Sequence, residues 1–224
     1  IIEKNLGFIE YNVTQLYRRS SRYLNCTRHK KIFDEYNVIP KFCFSCFKIQ
    51  INLKNVIDLI KLHIFFNQYN FKDNLTRKCM IELRPNITEK YKGLIYCESL
   101  SQAQSIKEDL KSVLKDSFKF NFDILVKKGC TEFGDSFPKF KKLDSKYSEI
   151  EKEWNGFEDM GDKNYPNLNV FKISNRSLKG LFLQDVLVFR NWLYFAKKIG
   201  DTTFKNITSE IYKSNFIDTK LKFK

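Results

Sequence analysis

Five of the six cysteines in this 224-residue chain, Cys43, Cys46, Cys79, Cys97 and Cys130, fall near the ends of segments that read as β-strands. Thiolate sulfur is the soft donor that a tetrahedral zinc ion or an iron-sulfur cluster takes, and a short Cys-x-x-Cys loop lets one segment place two such donors. Cys43-Phe44-Ser45-Cys46 is such a loop. The favoured ligand set is Cys43, Cys46, Cys97 and Cys130, with Cys79 in reserve. Phe42, Phe44, Phe47, Tyr96 and Phe133 would wrap the centre in apolar surface, which favours iron-sulfur chemistry over zinc. Only one Cys-x-x-Cys pair occurs, whereas structural zinc sites more often show two. Ordinary buried thiols are the alternative. Disulfides need an oxidising compartment. Thiol-disulfide exchange would want Cys43 at a helix N-terminus, and the motif leads into a strand instead.

The elements that must position these residues alternate between two periods. Phe42 to Ile51 is a short run rich in Phe and Ile and reads as strand one. From Leu53 to Tyr69, apolar residues at three- and four-residue spacing predict a helix, with Asn52 as its cap. Lys78 to Leu83 reads as strand two, stopped by Pro85, and Tyr91 to Cys97 as strand three. A second helix starts at Ser99 or Ser101 and runs to about Asp116. Phe122 to Lys128 is strand four, ended by Gly129.

This order, βαββαβ, predicts an α+β protein with a ferredoxin-like antiparallel sheet core, an N-terminal helical arm and a helical C-terminal extension. In the strand order 4-1-3-2, all five of these cysteines, Cys79 at the start of strand two included, reach one end of the sheet. Strands lie about 4.8 Å apart, so Cys79 and Cys130 on the two outer strands would be roughly 14 Å apart, too far to share one ion. Residues 1–40 form the basic arm, 41–131 the core, and 132–224 a loop-rich and then helical region packed on that core.

The net charge of +14 would ordinarily indicate nucleic acid or an acidic partner. Lysine outnumbers arginine 32 to 8, and the accompanying Asn, Ile and Phe suggest an AT-rich genome, so the total charge says little. Its distribution says more. Arg18, Arg19, Arg22, Arg28, His29, Lys30 and Lys31 crowd half of the arginines into a stretch interleaved with Tyr17 and Tyr23. Arginine recognises phosphate more selectively than lysine. A nucleic-acid-binding module with structural cysteines is therefore the second reading, with Arg18, Arg19, Arg22, Arg28, Lys30 and Lys31 as contacts. An acidic protein is another partner for the same arm. Lys92-Gly93-Leu94-Ile95-Tyr96-Cys97 has the Lys-Gly opening and the tyrosine of an RNA-recognition motif, but Leu94 replaces the first stacking aromatic, so no family is assigned.

Between Thr131 and Ser177 the chain turns polar, and Glu149, Glu151, Glu153, Glu158, Asp159 and Asp162 form an acidic group read as a solvated face. Leu168 to Ile173 is a candidate extra strand. Leu178 to Ile199 is the strongest helix, interrupted by Asp185, Arg190 and Asn191, so it reads as a core helix rather than a membrane span. Thr202 to Lys224 reads as a last helix and a basic tail. No phosphate-binding glycine loop, nucleophile elbow or zinc-protease motif occurs. His63 reads as a core histidine, and Glu82, Arg84 and Glu98 as neighbours of the cysteine end. The absence of a signal peptide points to a reducing, cytoplasmic setting.

Overall fold

The computed structural model describes residues 13–71, 73–117, 122–146, 154–174 and 180–208. It is a mixed α+β structure, with a five-stranded antiparallel sheet, a two-stranded ribbon and seven α-helices among the described residues. In chain order these are β1 (Gln15–Arg18), β2 (Arg22–Leu24), α1 (Cys26–Tyr36), α2 (Lys41–Ser45), β3 (Phe47–Leu53), α3 (Val56–Gln68), β4 (Arg77–Ile81), β5 (Tyr91–Cys97), α4 (Leu100–Ser117), β6 (Asp123–Lys128), α5 (Phe133–Ser136), α6 (Trp154–Asn164), β7 (Phe171–Ile173) and α7 (Leu183–Ile199). Single 3-10 turns cover Pro138–Lys141 and Thr202–Asn206. No helix among the described residues is long and apolar enough to cross a membrane.

The main sheet runs β1-β4-β5-β3-β6, and β2 pairs with β7. Four strands were expected; β1 adds a fifth outside β4, with Leu16 opposite Cys79. Strand alternation sends Phe47, Ile49, Ile51 and Leu53 of β3 to the face covered by α3 and α4. Gly93 of β5 lies on that face, where an added Cβ would meet Leu62 Cδ2 at 2.3 Å, so only glycine lets α3 approach this closely. α7 packs on α3 and β1, and its fully buried Trp192 donates Nε1–H to the Thr14 carbonyl at 3.0 Å. A second, smaller core gathers Ile32, Val38, Ile39, Cys43, Phe44, Phe133, Phe140 and Trp154 beyond the start of β3.

Several expected boundaries shift for local reasons. Phe42 to Ile51 is not one strand. Pro40 precedes a single helical turn, α2, and Cys46 returns the chain to extended backbone before β3. Asn55, not Asn52, caps α3, its Oδ1 accepting the Asp58 amide at 2.9 Å. The arm is not wholly helical, because β1 and β2 precede α1 and find pairing partners far along the chain. α7 starts at Leu183, where the Asp185 carboxylate accepts the Phe182 amide at 2.8 Å, and Gly200 (φ 84°) ends it in the left-handed conformation. The basic tail from Ser209 onward, Arg176, and the acidic residues Glu149, Glu151 and Glu153 lie outside the described residues.

One buried polar network joins three of these elements. Arg18 at the end of β1 pairs with Asp185 of α7, donates Nε–H to Asn67 Oδ1 of α3 at 2.6 Å, and donates to the Gly180 carbonyl at 3.1 Å. His63 Nε2 stands 3.5 Å from the other Asp185 oxygen. Burial alone would raise the Asp185 pKa, but the contacts with His63 and Arg18 prevail and hold it down at about 2. A carboxylate with a depressed native pKa stabilises the fold fully above its ordinary value of 3.8, and that contribution disappears as the pH falls through about 2. Asp185→Asn, which leaves Arg18 buried beside a neutral amide, is expected to lower the free energy of unfolding by about 3 kcal/mol. Urea titrations of both proteins at about pH 6 and about pH 2.5 should show that gap narrowing in acid. A gap unchanged between the two pH values would mean that the pair is not the acid-sensitive element.

Candidate functional site

A cleft of about 330 Å³ opens at the end of the sheet where β1 and β5 finish and β3 and β4 begin. Its position follows from how the chain leaves β1. Arg18 points to the helix-covered face, so strand alternation turns Tyr17 and Arg19 to the other side. The chain then bends at Ser20, whose amide donates to Thr76 Oγ1 at 3.0 Å and whose hydroxyl donates to the Arg22 carbonyl at 2.6 Å. β2 runs back along β7, which carries Phe171 into the wall against Phe42, ring centroids 5.3 Å apart.

The cleft wall combines cations with aromatic faces. The Arg19 guanidinium lies 3.6 Å from the centre of the Tyr17 ring and 4.9 Å from that of Tyr23, and Arg22 lies 3.8 Å from the centre of Phe171. Neither arginine forms an ion pair with a carboxylate among the described residues. Lys78 continues the row along β4, donating to Tyr17 Oη at 3.0 Å. Glu98 is the only carboxylate in the lining. Such a surface holds planar groups against its rings and anions against its guanidiniums.

The predicted basic arm divides by role. Arg18 is consumed in the buried network. Arg28 is 2 % exposed and grips Asp162 through two bonds of 2.6 and 2.7 Å and Glu158 through one of 2.9 Å, docking α1 on α6. Glu158 is therefore mostly withdrawn from solvent, while Asp162 pairs with Arg28 and remains exposed. Lys30 pairs with Asp34 on the same exposed helix face at 3.0 Å, and Lys31 sits over the Tyr165 ring. His29 is buried, with Nδ1 2.7 Å from the Asn25 carbonyl. Only Arg19 and Arg22 of the six predicted contacts reach the cleft.

The cysteines divide as well. All six are free. Cys79 sits in mid-strand opposite Gly93, fully buried on the helix-covered face, remote from the other thiols. Cys97 faces the same core opposite Phe47, although it also borders the cleft. Cys43, Cys46 and Cys130 do come together, and Cys26 completes the group. The Cys130 thiol makes side-chain contacts with both Cys26 and Cys43, and Cys46 lies within electrostatic reach of Cys43 and Cys26. Cys26 is the first residue of α1 and stands outside the set that sequence spacing favours. The Arg28 anchorage that carries it there links residues more than a hundred positions apart, so no local pattern announces it. As the side chains stand, no group of three or more His, Cys, Asp or Glu among the described residues is arranged to hold a metal ion.

The surroundings push the pKa of each of these thiols up. Burial pushes Cys46 up to about 12, and Cys97 likewise to about 12. The contact with Cys130 raises Cys26. For Cys43 the Cys130 contact acts downward, but burial and the neighbouring Cys46 outweigh it. Thiol-disulfide exchange needs the opposite shift, a lowered pKa. Glu82 and Arg84 lie at the far end of β4, where their mutual bonds and Lys92 hold the Glu82 carboxyl at about 2. They do not belong to this site.

Gly129 ties the thiol group to the sheet. Its amide donates to the Cys46 carbonyl at 2.9 Å, and a Cβ there would meet Cys46 Sγ at 2.3 Å and Cys46 Cβ at 3.2 Å. Gly129→Ala is expected to cost about 1–3 kcal/mol through this overpacking. Thermal unfolding should show the loss, and an unchanged midpoint would mean that Cys46 is free to turn away. Comparison with known proteins found no matching family model, no matching curated protein and no matching solved structure.

Proposed function

We propose that this chain is a binding module for single-stranded nucleic acid, seated in the cleft between β1, β2, β5 and β7. The observation that carries the reading is the pair of stacked arginines. Arg19 lies over Tyr17 and Tyr23, and Arg22 over Phe171, with no carboxylate paired to either among the described residues. Unstacked bases bind aromatic faces in a sequence-tolerant way, and guanidiniums beside them take the phosphates. The net charge of +14 favours encounter with a polyanion.

The domain organisation belongs to the same proposal. We read β3 to β6 with α3 and α4 as a ferredoxin-like unit; the order β6-β3-β5-β4 within the sheet supports this, with β1 as an added edge strand. The arm before it and the helical region after it close over that unit and build the cleft. In this reading the cysteines beside the cleft are structural.

Fluorescence anisotropy with a labelled single-stranded oligonucleotide of about 12 nucleotides, titrated across salt concentrations, tests the proposal. Arg19→Ala with Arg22→Ala should weaken binding by about tenfold or more and flatten the log–log salt slope by about 1.4, near 0.7 for each phosphate that the two guanidiniums neutralise. Lys30→Ala, at an exposed pair with Asp34 outside the cleft lining, should change affinity little. Absence of binding at low salt, or equal binding by the double variant, would overturn the assignment.

A further inference from the structure

We propose that the cleft admits one nucleotide of a single strand and selects guanine, with Glu98 reading the edge of the base. The inference rests on the nucleic-acid reading above and adds the identity of the base.

Two observations carry it. The first is a carboxylate that stands without a partner in a wall that otherwise attracts anions. Glu98 follows β5 at the rim of the cleft and is exposed, and its side chain forms no hydrogen bond or ion pair among the described residues. The other charged groups of the lining are Arg19 and Arg22. A negative charge there repels the phosphates that the two guanidiniums attract, so it works against binding a featureless polyanion. It becomes favourable where the ligand brings N–H donors to it, because a charge-assisted hydrogen bond is roughly twice as strong as a neutral one.

The second observation is that Glu98 is tied to Asn74. The Glu98 amide donates to Gln102 Oε1 at 2.8 Å, and Gln102 Nε2 donates to Asp73 Oδ2 at 2.8 Å, so one α4 side chain bridges the segments that carry Glu98 and Asn74. Ser99 Oγ accepts the Gln102 amide at 3.1 Å and fixes that bridge at the first turn of α4. Asn74 lines the same cleft and uses one Nδ2–H on Ser21 Oγ at 3.1 Å, which leaves its second amide hydrogen for a ligand.

A pair of acceptors with a donor beside it matches one base edge best. Guanine presents N1–H and its 2-amino group side by side, which suit the two oxygens of a carboxylate, with O6 next to them for an amide donor. Cytosine and adenine each offer one exocyclic amine beside a ring-nitrogen lone pair that a carboxylate repels, and thymine and uracil set one N–H between two carbonyls. The cavity of about 330 Å³ lies at the low end of ligand sites, which run from about 300 to about 1,000 Å³, so it takes one base with its phosphate rather than a stacked run. The base lies against guanidinium planes that Tyr17, Tyr23 and Phe171 back.

The test reads the anisotropy of labelled oligothymidines of about 12 nucleotides, with one central position exchanged for guanine, hypoxanthine, adenine or cytosine, against the full chain. The guanine strand should bind about tenfold tighter than the all-thymine strand, and hypoxanthine, which lacks the 2-amino group, should lose most of that gain. Adenine and cytosine should stay within about twofold of thymine. Glu98→Gln should erase the preference and bind the all-thymine strand more tightly, because a negative charge leaves the cleft. The base series on the unmutated protein tests the selection without any variant. Equal binding of all the strands, a preference for another base, or a guanine preference that survives Glu98→Gln would each overturn the inference while single-strand binding stands. Failure of every strand to bind, or guanosine monophosphate competing as well as the guanine strand, would instead overturn the nucleic-acid reading beneath it.

Discussion

The burial of Arg18 is the constraint from which the rest of the molecule follows. A guanidinium that is 6 % exposed cannot stay unpaired, and Asp185, Asn67 and the Gly180 carbonyl together satisfy it. Those partners belong to α7, to α3 and to the segment before α7, so one side chain at the end of β1 ties α3 and α7 to the sheet edge. The same contact fixes which way the strand faces. With Arg18 inward, Tyr17 and Arg19 must face the opposite side, and the cleft exists because of that parity. A one-residue slip of β1 would bury Arg19 and turn Arg18 and Leu16 outward.

Arg28 repeats this logic in the smaller core. Its forked bonds to Asp162 and Glu158 hold α1 against α6, and α1 carries both Cys26 and Ile32 into place. Gly161 of α6 permits that closeness, since a Cβ there would meet Ile32 Cγ1 at 2.7 Å. Two arginines of the basic stretch are thus framework, and two, Arg19 and Arg22, are surface. Clustering in sequence does not separate these roles, because burial is decided by partners more than a hundred residues away.

Elements with a long, clear period were legible in the sequence. Tyr91–Cys97 forms the strand that its composition predicts, and the helix after it follows its three- and four-residue spacing. Lys41–Ser45 was not legible, because one turn of helix is too short to show a period and its Phe residues resemble a strand. The cysteine set was half legible. Proximity along the sheet end follows from topology, but which face a residue takes depends on register. Pairing Phe47 with Cys97 sends Cys97 into the helix-covered core, whereas Cys46, just before the strand, stays on the cleft side. Cys26 depended on the docking of α1 and left no trace in spacing.

The cleft and the thiol group share walls. Cys26 and Cys46 line the cavity, Arg22 and Tyr23 lie just before Cys26, and Phe42 lies four residues before Cys46. β2 is held by three residue pairs with β7, by the Ser20–Thr76 contacts, and at its ends by the Asn25 amide on the Val170 carbonyl at 2.8 Å and the Ser174 amide on the Ser21 carbonyl at 2.9 Å. A short ribbon of this size is marginal alone. The apolar cluster around Cys43 also surrounds Lys128, whose Nζ lies over the Phe47 ring at 4.4 Å. Burial there pulls the Lys128 pKa down, and the Phe44 and Ser145 carbonyls accept its bonds at 2.8 and 3.2 Å, so the amine is satisfied by backbone oxygens rather than by a carboxylate.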